Sequence, residues 1–339
     1  MINGVERAKR DRLGEFEIIA RYFAPLASSP AALGLLDDAA VLSVPEGQEL
    51  VVTTDTIIEG VHFMAGDPPD SIGHKALAVN LSDLAAKGAR PEAYLLNLAL
   101  PEPPSAGWLE NFAAGLRALQ EEAGIGLVGG DTSSTSGPLT ISITALGLVP
   151  QGEAKLRSGA MTGDRVYVSG TIGDAGLGLK LLKDPRRAAQ WGLTDQEEAF
   201  LIERYRRPSA RGALASPLRH RGRAAIDVSD GLVCDLEKLC KSSGVSAVIE
   251  AVRVPLSAAA AKAVATTPEL LAELLTAGDD YEILVAMEGS HGRAFEAEAK
   301  QHGVKVTAIG STQPGDGEVL VVGEGGEPVE LSRKGFAHF

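Results

Sequence analysis

Cysteine is scarce: Cys234 and Cys240 are the only two in 339 residues. They form no Cys-x-x-Cys pair and have no histidine cluster beside them, which excludes a disulfide framework and a thiolate zinc site and fits a reducing cytoplasm. Basic residues are outnumbered as well, 32 Lys and Arg against 45 Asp and Glu, for a net charge of -13. Affinity for nucleic acid or anionic lipid rests on a basic footprint, so neither is expected as the main partner. A polyanion can still bind an acidic protein where divalent cations stand between the two sets of charge. No run of eighteen apolar residues occurs, and Met1 to Arg12 is charged with no apolar h-region, so neither export nor membrane insertion is expected. The chain also lacks a Gly-x4-Gly-Lys-Ser/Thr loop, and Gly173, Gly176 and Gly178 do not complete a dinucleotide fingerprint. Without a Gly-x-Ser-x-Gly elbow or a His-Glu-x-x-His helix, serine hydrolase and zinc protease chemistry have no residues to run on.

What is present is the composition of a folded protein, with 45% hydrophobic residues, 23% charged residues and 39 glycines. At about 150 residues per domain the length suits two. Apolar periodicity predicts helices over Glu15 to Ala24, Ser71 to Lys87 (stopped by Gly88 and Pro91) and Ala106 to Glu122. Strands are expected at Ala39 to Val44 and Glu49 to Thr53, as a hairpin about Pro45-Glu46-Gly47, then at Tyr94 to Leu100, Leu127-Val128 and Leu139 to Val149. The turn-rich stretch Pro150 to Gly163 sets the domain boundary, giving domains 1-150 and 151-339. Beyond it, strands are read at Arg165 to Ser169, Ala224 to Ile226, Ala247 to Glu250, Ile283 to Met287, Val304 to Ile309 and Glu318 to Val322. Helices are read at Ala175 to Leu182, Thr194 to Tyr205, Gly231 to Ser242, Leu256 to Ala265, Pro268 to Leu275 and Arg293 to His302. Strands and helices do not alternate strictly, so the fold class is α+β, two mixed domains rather than one doubly wound parallel sheet.

The chemistry lies in aspartates at the ends of apolar segments. Asp37-Asp38 precede Ala39, Asp55 follows Val51-Val52-Thr53-Thr54, and Asp131 follows Gly129-Gly130. Asp227 and Asp230 follow Ala224-Ala225-Ile226, and each is read where a strand opens into a loop. Any one of them is as readily a helix cap or a turn former. Several converging would raise one another's pKa unless cations kept them ionised, and hard oxygen donors favour magnesium. Asp83 is different, because it falls inside the helix Ser71 to Lys87, where Asp has poor propensity. Small neighbours, Ala78, Ala85, Ala86 and Gly88, let other backbone approach; the alternative is a solvated charge on an amphipathic helix.

In order along the chain, Leu36-Asp37-Asp38-Ala39-Ala40, Thr53-Thr54-Asp55, Gly60-Val61-His62-Phe63, Asn80-Leu81-Ser82-Asp83-Leu84-Ala85-Ala86, Gly129-Gly130-Asp131-Thr132, Asp227-Val228-Ser229-Asp230-Gly231 and Gly278-Asp279-Asp280-Tyr281-Glu282 resemble the motif series of the thiamine-monophosphate kinases. The ending Lys334-Gly335-Phe336-Ala337-His338-Phe339 is similar too. The resemblance implies a fold shared with aminoimidazole ribonucleotide synthetase and selenophosphate synthetase, dimerised through the N-terminal domain. It implies ATP-dependent phosphorylation of thiamine monophosphate, with ATP and several Mg2+ at the N-domain cleft. By matching position, Asp38, Thr53, Thr54, Asp55, Asp83, Asp131, Asp227 and Asp230 would hold metal, with Asp55, Asp83, Asp131 and Asp227 carrying the catalysis. Gly130, Asp131, Arg157 and Ser229 would touch the nucleotide, and His62, Asp279 and Phe336 the thiamine substrate. Three positions depart from the pattern: Leu36 stands where Gly is usual, Asp279 where Glu is common, and Phe336 where Trp or Tyr is found. A selenophosphate synthetase would carry a reactive Cys near its start, and none precedes Cys234. A non-catalytic, metal-stabilised scaffold and a metal phosphatase are the readings from other classes.

Overall fold

Two segments, Gln48–Ile58 (β1) and Thr140–Pro150 (β4), show how the alternating pattern is spent. In β4, Ile141, Ile143 and Ala145 turn into the core while Ser142 and Thr144 face away, as a side-chain period of two requires. The structure is a computed structural model describing residues 14–331 and 335–336. It divides into two compact units, Met1–Asn80 with Pro91–Leu148, and Leu81–Arg90 with Val149–Phe339.

In the first unit β1 and β4 join Arg90–Leu100 (β2) and Gly126–Ser134 (β3) in a four-stranded sheet of order β1-β4-β2-β3, with β2 and β3 parallel. Helix Pro69–Ala86 (α1) is buried nearly all round, enclosing Ile72, Ala76, Leu77, Val79, Leu81 and Leu84 together with the polar Ser71, Lys75, Asn80 and Ser82. Helix Ala106–Ala123 (α2) is started by Ser105, whose hydroxyl accepts from Trp108 N at 3.1 Å, and stopped by Gly124 in the left-handed conformation. The two helices touch backbone to backbone. A Cβ at Gly115 would lie 1.9 Å from Asp70 O, and one at Gly73 would lie 2.3 Å from Phe112 O.

The second unit is built on a six-stranded sheet, order β10-β7-β9-β5-β8-β6. Its strands are Arg165–Ser169 (β5), Ala224–Val228 (β6), Ser246–Glu250 (β7), Glu282–Met287 (β8), Val306–Gln313 (β9) and Val319–Val322 (β10). β10 and β7 are parallel, and the other neighbours antiparallel. Alternation divides these strands between two cores: Val166, Val168, Ile226, Leu284 and Ala286 enter one, Tyr167, Ala225, Ile283, Val285 and Met287 the other. Strands β5, β8 and β6 are therefore buried on both faces, which is why they read as apolar runs. The longer helices of this unit are Asp174–Lys183 (α3), Asp195–Arg206 (α4), Ala215–Arg221 (α5), Leu232–Ser243 (α6), Ala258–Thr266 (α7) and Gly292–Gln301 (α8). α4 opens on a reciprocal capping box between Thr194 and Glu197.

The elements depart from the sequence reading in a few places. Ala39–Val44 is not a strand and makes no hairpin among the described residues; Val41 N donates to Ala31 O at 3.1 Å, and β1 pairs with β4 instead. Val41 and Val44 remain 68% and 45% exposed, so apolar alternation alone did not supply a partner strand. Asp55, Asp131 and Asp227 lie within β1, β3 and β6 rather than in loops after them, because pairing carries each strand past its apolar part. Helix α5 went unread, since Pro217 and the run Arg219-His220-Arg221 hide its apolar face. The second unit also takes Leu81–Arg90, a division placed inside α1 that no composition shift announces. Replacing Gly115 by Val is expected to force α1 and α2 apart and lower stability by about 1–3 kcal/mol; an unchanged urea midpoint would show that the helices do not meet there.

Candidate active site

In the first unit a cavity of about 560 Å3 has an apolar wall, including Phe23, Leu35, Leu95, Val128 and Leu146, and a polar lining of Asp37, Asp38, Asn97 and Asp131. Each acid is placed by a backbone device. Leu33, Gly34 and Leu35 all have positive φ immediately before the Asp37-Asp38 pair, an uncommon and costly conformation for leucine that turns the chain there. The Asp38 amide then donates to Asp37 Oδ1 at 2.8 Å. Asp131 is fixed on β3 opposite Asn97 of β2, just beyond a register shift at Tyr94/Leu95. Gly130 beside it admits no other residue, since a Cβ would lie 1.8 Å from Leu96 O. Asp38, Gly130 and Asp131 thus share one cavity.

Asp55 is held through its main chain, its amide donating to Asn80 Oδ1 at 3.0 Å, and Asn80 is wholly buried with its own amide on Ala76 O at 3.0 Å. Alternation along β1 separates the expected trio Thr53, Thr54 and Asp55. The Thr54 hydroxyl donates to Ile143 O and accepts from Thr144 Oγ1, both at 3.1 Å, on the face opposite Thr53 and Asp55. His62 closes the turn after β1: its Nδ1 accepts from Ile58 N at 3.0 Å, leaving the ring proton on Nε2, and buried Lys75 donates to its carbonyl at 2.8 Å.

In the second unit Asp227 is almost fully buried near the end of β6, and Ser82 donates to its Oδ2 at 2.9 Å. Lys87, one turn beyond Asp83, reaches Ala225 O at 3.2 Å. Burial pushes the Lys87 ammonium below its ordinary pKa and Arg157 adds to this, while Asp83 and Asp227 oppose it. These charges therefore act on one another, and Lys87 is the member that motif reading missed. Its signal is the i, i+4 spacing from Asp83.

The segment Asp227–Gly231 is laced to Gly278–Glu282. Asp279 N donates to Ser229 O at 2.9 Å and Tyr281 N to Val228 O at 2.8 Å, with Asp279 and Tyr281 both at positive φ. Asp230 is engaged by Lys238, which also lies 2.7 Å from Asp235 Oδ1, and Asp230 O accepts from Phe336 N at 2.9 Å. Asp230, Cys234 and Asp235 come close enough together to share an ion. An ammonium already neutralises the two acids, and burial raises the Cys234 thiol, so that trio suits a lysine better than a metal. Asp38 and Asp131 on the cavity offer oxygen donors alone, the donor chemistry that a hard cation such as Mg2+ prefers.

Beneath the laced loops lies a buried group of acids. Asp280 accepts from Gly173 N at 2.7 Å at the start of α3, and Asp174 accepts from the Thr171 and Ser257 hydroxyls. Burial raises the pKa of both carboxyls. Glu282 is met by Arg204 and Arg211.

Two family models divide the chain: that of the AIR synthase related protein N-terminal domain matches residues 36–149, and its C-terminal counterpart residues 162–323. The class is that of the two-domain AIR synthase related proteins, with the mixed α+β architecture described above. Thiamine-monophosphate kinase of Caulobacter vibrioides is 43% identical over 96% of this chain and 90% of its own length, and that of Escherichia coli (strain K12) 41% over 96% and 98%. Thiamine-monophosphate kinase from Stenotrophomonas maltophilia K279a superposes with a TM-score of 0.79 at 38% identity, over 94% of this chain and 98% of that one. AaThiL complexed with AMPPCP and TMP superposes with a TM-score of 0.74 at 31% identity, over 96% and 97%. The chain belongs to the thiamine-monophosphate kinase family of enzymes.

Because Asp174 has a raised pKa in the folded state, its contribution to stability is complete below the unfolded value of about 3.9 and is lost as pH rises through the folded one. Asp174→Asn, which keeps both hydroxyl contacts, is expected to melt above the parent at pH 9 and to lose that advantage at pH 4. Melting curves across pH check this, and a constant difference would contradict the assignment.

Proposed function

We propose that this chain transfers the terminal phosphoryl group of ATP directly to the phosphate of thiamine monophosphate, giving thiamine diphosphate, with several Mg2+ held by its aspartates. The observation that carries the reading is the gathering of Asp37, Asp38 and Asp131 with Gly130 on one cavity, in a chain similar throughout to AaThiL, which was solved with AMPPCP and TMP. The acceptor needs no general base, because the second pKa of a phosphate monoester is about 6 and its oxygens are already largely ionised at neutral pH. The obstacle is repulsion between two polyanions. Bound Mg2+ would supply the neutralising charge on both phosphates.

The chain's own residues divide the remaining work. Asp38, Asp55 and Asp131 with Thr53 in the first unit, and Asp83 and Asp227 in the second, hold the cations; Thr54 contributes through its main chain, its hydroxyl being engaged on β4, and Asp230 joins the set only where a cation takes the place of the Lys238 ammonium. Gly130 brings bare backbone to the phosphates, Arg157 offers them a forked cation, and Ser229 holds the nucleotide. Asp279 pairs with the thiazolium ring, Phe336 offers it a ring face, and His62 places the acceptor. Residues 1–150 thus carry ATP and metal, and residues 151–339 complete the nucleotide and substrate contacts.

A homodimer formed through the first unit is part of the same reading. Leu50 and Val52, two residues apart on the edge strand β1, stand 43% and 57% exposed, apolar side chains that a second copy would cover. The cytoplasm suits two free thiols.

With ATP and Mg2+, ADP is expected to appear only when thiamine monophosphate is added, with thiamine diphosphate as product; ADP release without acceptor, or phosphate release without ATP, would overturn the reading. Asp131→Asn and Asp83→Asn are each expected to cut kcat by about 100-fold or more with circular dichroism unchanged, and near-normal rates in both would remove the metal-cluster mechanism. Val52→Glu is expected to yield a monomer in sedimentation velocity, whereas an unaltered dimer would place the interface elsewhere.

A further inference from the structure

Residues 279 to 282 are held through both their main chain and their buried side chains. Asp279 and Tyr281 adopt left-handed backbone, φ 71° and 51°, and donate their amides to the Val228-Ser229 segment. The Tyr281 hydroxyl lies 3.4 Å from Asp279 Oδ1. Asp280 and Glu282, between and after them, are wholly buried. Left-handed backbone at two non-glycine residues separated by one persists only where the surroundings over-determine it, and the determinants lie on the buried side.

Glu282 accepts on both carboxylate oxygens. Arg204 Nη2 from α4 donates at 2.9 Å, Arg211 Nε at 2.6 Å with its Nη2 on the second oxygen, and the Ser169 hydroxyl at 2.6 Å. Arg204 also donates to Asp280 O at 3.2 Å, so one guanidinium grips the main chain between the two left-handed residues. The Asp280 carboxylate is tied to the start of α3 through Gly173 N at 2.7 Å. Gly170 leaves no slack, because a Cβ there would lie 2.1 Å from Glu282 Oε1. On the opposite side a Cβ at Gly278 would meet Ser229 O at 2.6 Å. The loop is therefore clamped from both sides, and forked guanidinium contacts on one buried carboxylate are the stiff part of the clamp.

We propose that Arg204 and Arg211, acting through Glu282, are positioning residues for the acceptor: they hold the Asp279 backbone in its left-handed conformation, and so set affinity for the cationic ring of thiamine monophosphate while leaving ATP affinity alone. This rests on the reading above that Asp279 meets the acceptor. Neither arginine touches substrate in this account; each acts at one remove, through Glu282 at the start of β8, just after the loop that carries the contact. A lysine at position 211 keeps the charge and loses the fork, and methionine loses both.

The test uses the full chain and Arg211→Met, with Arg211→Lys as the conservative variant. Arg211→Met is expected to raise KM for thiamine monophosphate roughly 10- to 100-fold while KM for ATP moves less than about twofold, with Arg211→Lys in between. Hydrogen exchange, followed by mass spectrometry, is expected to speed up in the peptide covering residues 276–282 and not in α1 or β4. Should Arg211→Met fail to fold, Ser169→Ala removes a single contact to Glu282 and is read in the same way, with a smaller shift. Equal rises in both KM values, or unchanged exchange in that peptide, overturn the proposal. A parent chain inert toward thiamine monophosphate overturns the functional reading and the acceptor half of this one, and the exchange measurement then still decides whether the clamp holds the loop.

Discussion

Carboxylates brought together out of bulk water must each find a positive partner, bind a proton or be pulled apart, and the chemistry of this protein depends on which course each acid takes. Glu282 takes two guanidinium groups. Asp230 and Asp235 share the Lys238 ammonium. Asp174 and Asp280 are driven toward the protonated form by burial and are held by hydroxyls and main-chain amides. Asp37, Asp38 and Asp131 line an open cavity, and among the described residues none of them has a lysine or arginine ion pair. A protein that compensates its other acid groups internally, and leaves this one facing a cavity, has charge to spare for a cation that arrives with a ligand.

The division between compensated and uncompensated acids also explains how far the sequence could be read. Helices α1, α2 and α4 were legible because their signals are local: apolar spacing, Ser105 and Thr194 at the starts, Gly88 and Gly124 at the ends. Strands β5, β6 and β8 were legible as apolar runs because both of their faces are covered. Ala39–Val44 misled because a strand is defined by its partner, and sequence alternation names no partner. The aspartate motifs were legible as motifs, whereas their placement within strands depends on pairing with distant segments, as between Asp131 and Asn97.

Arg204 and Arg211 were invisible for a related reason. Arginine is frequent between Arg204 and Arg223, and nothing local distinguishes those that meet Glu282 from Arg207, which pairs with Glu203 one turn away on the surface, or from Arg221, which pairs with Glu298. Only the tertiary fold sorts a dense basic stretch into supports and solvated charges. That sorting also removes an apparent anomaly, since a basic run in an acidic protein suggests an anion site until its guanidinium groups are found to be engaged by the chain's own acids.

In residues 279–282, contact with a ligand and anchorage to the core can be assigned to different residues without competing for one side chain. Asp279, with the shorter of the two acidic side-chain arms, falls where the backbone is already fixed by the buried Asp280 and Glu282. A shorter arm on a fixed backbone has less room to adjust, so its position is decided by the main chain rather than by side-chain rotation. Precision at Asp279 therefore depends on Asp280 and Glu282, and through Glu282 on two arginines more than sixty residues earlier in the chain.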